Sequence, residues 1–258
     1  MKVSRLLFSA AAVACLALPQ TAGAATLGVA ADTWVREDSS GSNRNGDAFM
    51  NARTDEDGTT NDLVFLRFDT SSLTGAAGSA LNLTWYRSDG STGKTLSLWG
   101  INDGSADDVA WDEAAITYDT APAMAPDGMD VMTEVGLAHT DDDIHDLKSA
   151  SLTLLVADQA YGPQVEGDLY SFSSAALDTF LNADTNGIVT FLITRNTNTS
   201  SNQARFTAKE ATAFNSGASV PQGGAGAYLS GVTTGVPEPG SIALIGLAAA
   251  ALVVRRRR

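Results

Sequence analysis

The stretches Leu81-Asn82-Leu83-Thr84-Trp85 and Leu96-Ser97-Leu98-Trp99 decide the fold class, because apolar and polar residues alternate along both. Successive side chains of a strand point to opposite faces, so the alternation gathers the apolar set mostly on one face, as a half-buried sheet requires. Similar short runs, rich in β-branched and aromatic residues and separated by Gly, Asn, Asp and Ser, recur along the middle of the chain. We therefore predict an all-β domain.

About ten strands are expected at this spacing, which is typical of a β-sandwich, and we predict a jelly roll. One helix is predicted over Ser174 to Ala183, with Ser174 as its N-cap and Leu177, Phe180 and Leu181 on one face. The predicted strands are Ala31–Arg36, Ala48–Arg53, Leu63–Asp69, Ala80–Arg87, Thr95–Ile101, Val131–Ala138, Ser151–Ala157, Ile188–Thr194, Ala204–Lys209 and Ala227–Val232.

The N-terminus, residues 1–24, has the three parts of a secretory signal peptide. Lys2 and Arg5 precede an apolar stretch, and Ala22-Gly23-Ala24 supplies the small residues at which signal peptidase cleaves. The mature chain would begin at Ala25. The only cysteine, Cys15, lies in this leader, so the mature chain is expected to have neither a disulfide nor thiol chemistry.

The C-terminus, residues 233–258, predicts a linker followed by a sorting tail. Val236-Pro237-Glu238-Pro239-Gly240-Ser241 is followed by an apolar run over 242–254 and by Arg255, Arg256, Arg257 and Arg258. The run is shorter than the roughly 20 residues that a spanning helix needs, and the arginines would stay on the cytoplasmic side. These features favour transient anchoring in the inner membrane over an ordinary C-terminal anchor.

This tail resembles the PEP-CTERM sorting signal: Pro237, Glu238 and Pro239 come first, then the apolar helix and the arginine cluster. The resemblance implies processing near the Pro-Glu-Pro by an exosortase. It also implies a Gram-negative bacterium that makes exopolysaccharide, and a protein that ends secreted or on the cell surface.

The part between leader and tail is strongly acidic. The whole chain has a formal net charge of −14, but 10 of its 16 basic residues and 29 of its 30 acidic residues lie between the two ends, which gives this part about −19. Because nucleic-acid binding depends on Lys and Arg meeting phosphate, we expect no nucleic-acid partner.

Four segments of the middle, over residues 25–232, resemble the DNRLRE-type domain. They are Ala31-Asp32-Thr33-Trp34-Val35, Leu66-Arg67-Phe68-Asp69-Thr70-Ser71-Ser72-Leu73, Trp111-Asp112-Glu113-Ala114-Ala115-Ile116-Thr117-Tyr118 and Phe206-Thr207-Ala208-Lys209-Glu210. The resemblance implies a jelly-roll β-sandwich, with relatives that act as carbohydrate-binding modules on acidic polysaccharide. Tyr118 and Ala208-Lys209 depart mildly from the family pattern. The overall acidity of this chain opposes binding of an anionic glycan.

Sugar binding needs exposed aromatic faces and planar polar groups. If Ala31, Thr33 and Val35 face the core, Trp34 and Arg36 share the outer face. Arg67 would likewise point outward, and with Arg53 these residues could line one sheet surface. We predict Trp34, Arg36, Arg53 and Arg67 as sugar-binding residues. The alternative is that Trp34 belongs to the core and the arginines pair with carboxylates.

Acidic and histidine clusters offer weaker candidates for catalysis or metal binding. Asp112 and Glu113, near Asp107 and Asp108, could serve hydrolysis, but a structural role for this motif, with Glu113 capping a turn, is favoured. The run from His139 to Asp146 contains both histidines and four aspartates, yet reads as a solvated loop. Asn182 to Gly187 resembles half a calcium loop but lacks its final Glu, and a turn is favoured. Asn102 and its neighbours form another acidic loop of this kind.

We predict no catalytic residue and no cofactor beyond a possible single structural calcium, which jelly-roll carbohydrate modules often hold and whose ligands the sequence does not identify. The predicted function is an exported, exosortase-processed surface or extracellular matrix protein whose β-sandwich binds polysaccharide without catalysis. Two alternatives stay open at this point. One is a structural exopolysaccharide or biofilm matrix protein without a defined ligand, and the other is a polysaccharide-degrading enzyme.

Overall fold

The computed structural model describes residues 24–54, 61–90, 92–124, 147–195, 203–221 and 226–235. Within these ranges the chain forms eleven strands and one α-helix. They are β1 (Ala24–Gly28), β2 (Ala31–Arg36), β3 (Phe49–Ala52), β4 (Asp62–Asp69), β5 (Leu73–Thr84), β6 (Lys94–Ile101), β7 (Leu152–Tyr161), β8 (Leu169–Ser173), α1 (Ala175–Ala183), β9 (Ile188–Arg195), β10 (Ala204–Thr207) and β11 (Tyr228–Thr234).

The strands form two large antiparallel sheets and one small one. The four-stranded sheet has the order β1-β11-β5-β8, the five-stranded sheet has the order β2-β4-β9-β6-β7, and β3 pairs with β10. Leaving out β3, β4 and β10, the remaining eight strands follow the order 1-8-3-6 in one sheet and 2-7-4-5 in the other. This is the strand order of a jelly roll, so the predicted fold class is confirmed.

The two large sheets pack face to face around an apolar interior. Val64, Leu66 and Phe68 of β4 enter this interior and meet Leu81 and Leu83 of β5. β4 therefore has the alternation that a sandwich requires, with every second side chain pointing at the opposite sheet.

The outer face of the five-stranded sheet is also covered. Residues 102–124, here called the covering segment, lay Trp111, Ile116 and Tyr118 over Leu63 and Phe65 of β4. The indole N–H of Trp111 donates to the Thr190 hydroxyl at 3.1 Å, which satisfies its one polar atom under the segment. The five-stranded sheet is thus buried on both faces, and a second apolar core lies outside the sandwich interior.

The small sheet joins the two large ones along one side. An isolated bridge pairs Arg53, just after β3, with Asp62 of β4, and another pairs Trp85, just after β5, with Phe206 of β10. Met50 of β3 and Phe206 are fully buried in the interior. The small sheet formed by β3 and β10 therefore closes this corner of the sandwich. The face of the small sheet opposite Met50 and Phe206 points to the rim.

The helix forms where it was predicted, and it bridges the two sheets at one end. The Ser174 hydroxyl accepts the Leu177 N–H at 3.0 Å, which confirms the N-cap, and Leu177 and Leu181 are buried. The Asp178 carboxylate of α1 accepts the N–H groups of Gly78 and Ser79, both at 2.8 Å. The helix therefore satisfies backbone donors of β5 where its pairing is irregular.

Eight of the predicted strands overlap observed ones closely, and Ala80–Arg87 is the second half of the longer β5. The sequence analysis missed β1 and β8. β1 is a five-residue edge strand beside the leader, and β8 alternates as Leu169-Tyr170-Ser171-Phe172-Ser173 with Tyr170 and Phe172 buried, so its signal was present but short. The predicted strand Val131–Ala138 lies outside the described residues, as do the leader up to Gly23 and the tail from Val236.

In the described part of the chain, no helix has the length and apolar character needed to cross a membrane.

A bulge between β5 and β11 depends on glycine. Their register shifts between Ser230 and Val232, and the intervening Gly231 has a φ of +69°. A Cβ atom on Gly231 would lie 2.5 Å from the carbonyl oxygen of Gly78, so the two strands approach more closely than any side chain allows.

We expect Gly231→Ala to lower the free energy of unfolding by about 2 kcal/mol or more, because it adds both a strained φ and a backbone clash. Urea denaturation measures this change. Gly90→Ala is the matched control, since a Cβ at Gly90 meets no atom within 4 Å. Equal stabilities of the two variants would contradict this account of the bulge.

Candidate functional site

Trp34 lies inside the sandwich and not on its surface. Only 3% of the residue is exposed, and it pairs with Val64 of β4 on the face that points at the opposite sheet. Ala31 and Val35 pack under the covering segment instead. The prediction that Trp34 faces outward is therefore wrong, because both faces of β2 are buried and an apolar alternation cannot tell which one is the interior.

Arg67 lies on the opposite face of the sheet from Trp34 and Arg36. Its guanidinium stacks on the ring of Trp111 at 5.4 Å from the ring centre, and it donates to the Trp111 carbonyl. It fixes the covering segment to β4. The prediction that Trp34, Arg36, Arg53 and Arg67 line one exposed surface is thus wrong, although the other three do lie at one corner of the molecule.

That corner is an arginine–aromatic cluster at the rim of the small sheet. Phe49 is central to it: its ring lies 6.0 Å from that of Trp34, nearly parallel, and 5.2 Å from that of Tyr86. The guanidinium of Arg205 lies 4.6 Å from the centre of the Phe49 ring. The full cluster, as named below, is Trp34, Phe49, Tyr86, Arg36, Arg44, Arg53, Arg87 and Arg205.

Arginines also flank Trp34 directly. The guanidinium groups of Arg36 and Arg44 lie 4.8 and 5.0 Å from the centre of the ring, and the indole N–H donates to the Asp47 carboxylate at 3.0 Å. Such cation–π contacts hold the planar guanidinium groups in fixed orientations. Trp34 is therefore buried and positions Arg36 and Arg44, which lie nearer the solvent.

Among the described residues, Arg36 and Arg87 of this cluster form ion pairs with carboxylates. Arg36 binds Asp62 through two hydrogen bonds of 2.7 and 3.1 Å, and Arg87 lies 3.1 Å from Asp89. Burial raises the pKa of the Asp62 carboxyl, although the hydrogen bonds from Arg36 oppose the rise. In contrast, Arg205 donates to the side-chain oxygen of Gln203, an uncharged acceptor.

Positive charge is concentrated at this corner. Ten basic residues lie between the leader and the tail, and five of them belong to the arginine–aromatic cluster. Burial lowers the pKa of Arg205, and the neighbouring charges of Arg87 and Arg36 lower it further. The guanidinium groups thus repel one another, and a bound anion would relieve that repulsion. This corner of the domain is therefore less acidic than the domain as a whole.

A second cluster joins three segments that carry the sequence resemblance. Asp32 of β2, Glu113 of the covering segment and Glu210 each place a carboxylate oxygen within 4.8 Å of the other two. The ammonium of Lys209 lies 2.6 Å from Glu113 and also contacts Glu210, while the Lys209 N–H donates to Asp32 at 2.8 Å. These four residues are called the carboxylate knot below. They tie β2, the covering segment and the turn after β10 together.

The residues considered for catalysis form ion pairs and hydrogen bonds within the protein. Glu113 pairs with Lys209, and it is Asp112 that caps the turn by accepting the Ala114 N–H at 3.0 Å, so the prediction of Glu113 as the cap is wrong. Asp107 is bound by Lys148 at 3.0 Å and by the Ser151 hydroxyl at 2.6 Å.

The two loops considered for calcium lie against each other. The Thr185 N–H donates to Asp103 at 3.0 Å, and the Asn186 amide donates to Asp108 at 2.5 Å. The turn predicted at Asn186-Gly187 is confirmed by a φ of +78° at Gly187. Their side-chain oxygens are thus largely occupied by hydrogen bonds of the turns. The run from His139 to Asp146 lies outside the described residues, so its metal-site prediction is untested.

Two surface cavities lie away from the arginine–aromatic cluster. One, of about 560 Å³, is bordered by Tyr228, Gly226 and Lys209. The other, of about 640 Å³, lies between Phe180 of α1 and the loop containing Asp103. Neither lining contains an arginine. The arginine–aromatic cluster, in contrast, combines several guanidinium groups with aromatic rings at the rim of the sandwich.

Jelly-roll sandwiches occur among lectin domains as well as among other kinds of protein. Residues 23–141 match carbohydrate-binding module family 96, and residues 235–258 match the PEP-CTERM protein-sorting motif. No curated protein matches the chain. The first match runs from β1 through the covering segment, while β7 to β11 lie beyond it.

These matches bear out the predicted resemblance of the tail to the PEP-CTERM signal and of the sandwich to a carbohydrate-binding module, whereas the name DNRLRE-type stays a prediction. The sorting motif indicates an exported or cell-surface protein. The boundaries proposed for leader, sandwich and tail remain predictions.

The carboxylate knot makes stability depend on pH. Burial raises the pKa of Asp32 to about 7, although the Lys209 N–H and ammonium oppose the rise. In the unfolded chain this carboxyl titrates near pH 4. Between these two pH values the folded state binds more protons than the unfolded state. The free energy of unfolding therefore falls as the pH rises, because Asp32 must ionise in a buried position.

We expect Asp32→Asn to gain stability relative to the unchanged chain as the pH rises from 4 to 7, by up to about 4 kcal/mol. The amide still accepts the Lys209 N–H but carries no charge. Urea denaturation at several pH values in metal-free buffer measures the difference. Asp119→Asn, at an exposed position, is the control and should show no such trend. A stability difference for Asp32→Asn that is constant with pH would contradict the assignment.

Proposed function

We propose that this protein is exported, processed by an exosortase and held at the cell surface or in the extracellular matrix, where its sandwich binds polysaccharide without catalysis. The arginine–aromatic cluster is the binding surface. The observation that carries the proposal is the placement of five of the sandwich's ten basic residues at one corner, where three of them, Arg36, Arg44 and Arg205, stack on aromatic rings.

The chemistry of the cluster fits an acidic polysaccharide. A guanidinium group offers two parallel N–H donors, which match a carboxylate in geometry and charge. Tyr86 and Phe49 are half-buried, so part of each ring remains available for contact with a sugar ring. Arg205 lies over Phe49 and meets only Gln203 as a hydrogen-bond acceptor among the described residues, so a uronate carboxylate could take up its charge.

This proposal removes the objection that the acidic domain would repel an anionic glycan. Four carboxylates, those of Asp38, Asp47, Asp62 and Asp89, lie among the five arginines of this corner. Screening limits the reach of the more distant carboxylates to about 8–10 Å at physiological salt, so the corner is far less acidic than the domain as a whole. The remaining negative surface would orient the chain, because only this corner attracts the polymer.

Export and anchoring follow from the two ends. The leader would be removed by signal peptidase at Ala24, and the tail would hold the protein transiently in the inner membrane. An exosortase would then process the chain near Pro237, Glu238 and Pro239. A biofilm or exopolysaccharide matrix is the proposed destination.

The test is calorimetric titration of the full-length chain with sodium polygalacturonate and with alginate, using dextran as the neutral comparison. We expect saturable binding to the two polyuronates that weakens with salt, and little binding to dextran. Arg205→Ala should weaken binding about 10-fold or more, because one charge-assisted hydrogen-bonded contact contributes roughly 1.5–3 kcal/mol. Arg205→Lys should recover only part of the affinity, since an ammonium lacks the planar fork.

Lys148→Ala is the matched control: it also removes one positive charge, but from the pair with Asp107 of the covering segment. It should leave the affinity unchanged. Equal losses for Arg205→Ala and Lys148→Ala would reduce the effect to net charge and overturn the proposed surface. Absence of any glycan binding would favour a structural matrix protein, and release of reducing or unsaturated sugars would favour an enzyme.

A further inference from the structure

The carboxylate knot contains a buried oxygen that no group in the described residues satisfies. Only 1% of Asp32 is exposed, and its Oδ2 atom accepts the Lys209 N–H, but its Oδ1 atom is buried without a hydrogen-bond partner. A buried carboxylate oxygen is costly unless it is paired or coordinates a metal. Within the knot, Asp32 Oδ1 is thus a buried carboxylate oxygen that accepts no hydrogen bond from the described residues.

The charges of the knot are also unbalanced. Three carboxylates share a single ammonium, that of Lys209, which sits against Glu113 and Glu210. This ammonium occupies the position of a cation between two of the carboxylates. It leaves Asp32 to interact with it only at longer range.

We propose that Asp32, Glu113 and Glu210 form a divalent-cation site suited to Ca²⁺, and that Lys209 is its built-in competitor. Ca²⁺ would take Asp32 Oδ1 and the two glutamates as ligands, with water completing the shell. The ammonium of Lys209 would move out along its flexible stem. This inference does not rest on glycan binding.

The ligand chemistry favours calcium over softer metals. All three ligands are carboxylates, which suit hard cations, and Ca²⁺ accepts mono- and bidentate carboxylates in irregular shells. Mg²⁺ demands a nearly ideal octahedron, which ligands from three separate segments do not readily supply. Glu210 has 44% of its side chain exposed and Lys209 has 26%, so the ion can enter and the ammonium can leave.

The consequence of binding would be structural. The ion would replace an ammonium by a charge of two at the point where β2, the covering segment and the turn after β10 meet. Calcium should therefore raise the unfolding temperature of the whole sandwich.

The experiment is calorimetric titration of the chelator-treated full-length chain with CaCl₂, and separately with MgCl₂, together with thermal unfolding. We expect one Ca²⁺ per chain, weaker binding of Mg²⁺ and a higher unfolding temperature in calcium. Asp32→Asn and Glu210→Gln should each weaken Ca²⁺ binding at least 10-fold. Lys209→Gln should strengthen it by about the same factor, because it removes the competing ammonium.

The opposite signs separate a metal site from a simple ion-pair network. If the knot is only an ion-pair network, Lys209→Gln destabilises the fold and adds no calcium affinity, and that result overturns the proposal. Glu210→Gln guards against misfolding, since its side chain is exposed, and circular dichroism checks each variant. Asp119→Asn controls for loose association with the acidic surface; a loss of affinity there equal to that of Asp32→Asn would also overturn the site.

Discussion

The burial of the five-stranded sheet on both faces is the constraint on which the rest of the structure depends. One face meets the other sheet and the second lies under the covering segment, so most side chains of β2 and β4 are buried. The buried polar side chains on these strands then depend on partners inside the protein. Asp62 finds Arg36, Arg67 finds the Trp111 carbonyl, and Asp32 finds the backbone of Lys209.

This double burial also decides where a ligand can bind. A flat sheet face is closed to a polymer on the covered side, so contact shifts to the rim where the small sheet joins the large ones. Phe49 and Arg205 lie on β3 and β10 at that rim, and Trp34 supports them from within. The proposed binding surface is therefore built on strands anchored in the core, which would hold its arginines in place before a ligand arrives.

The sequence predicted the strands of the sandwich, but it did not predict which face of each strand lies in the interior. The bounds of β2 and the N-cap at Ser174 follow from local pattern, because alternation and capping are properties of neighbouring residues. The orientation of Trp34 does not, since residues 102–124 cover the sheet only after the chain has folded back over it. The meeting of Asp32, Glu113 and Lys209 likewise joins residues up to 177 positions apart. In the sequence these residues appear only in separate motif segments, so their contact could not be predicted.

The carboxylate knot and the arginine–aromatic cluster both contain residues of β2. Asp32, Trp34 and Arg36 alternate along one face of this strand, so the knot fixes the end of the strand whose middle supports the cluster. Asp32 and Trp34 both lie in a segment that carries the family resemblance, and both are buried. The part of β2 that the resemblance covers therefore supports the proposed binding surface from inside the protein, and its own side chains do not form that surface.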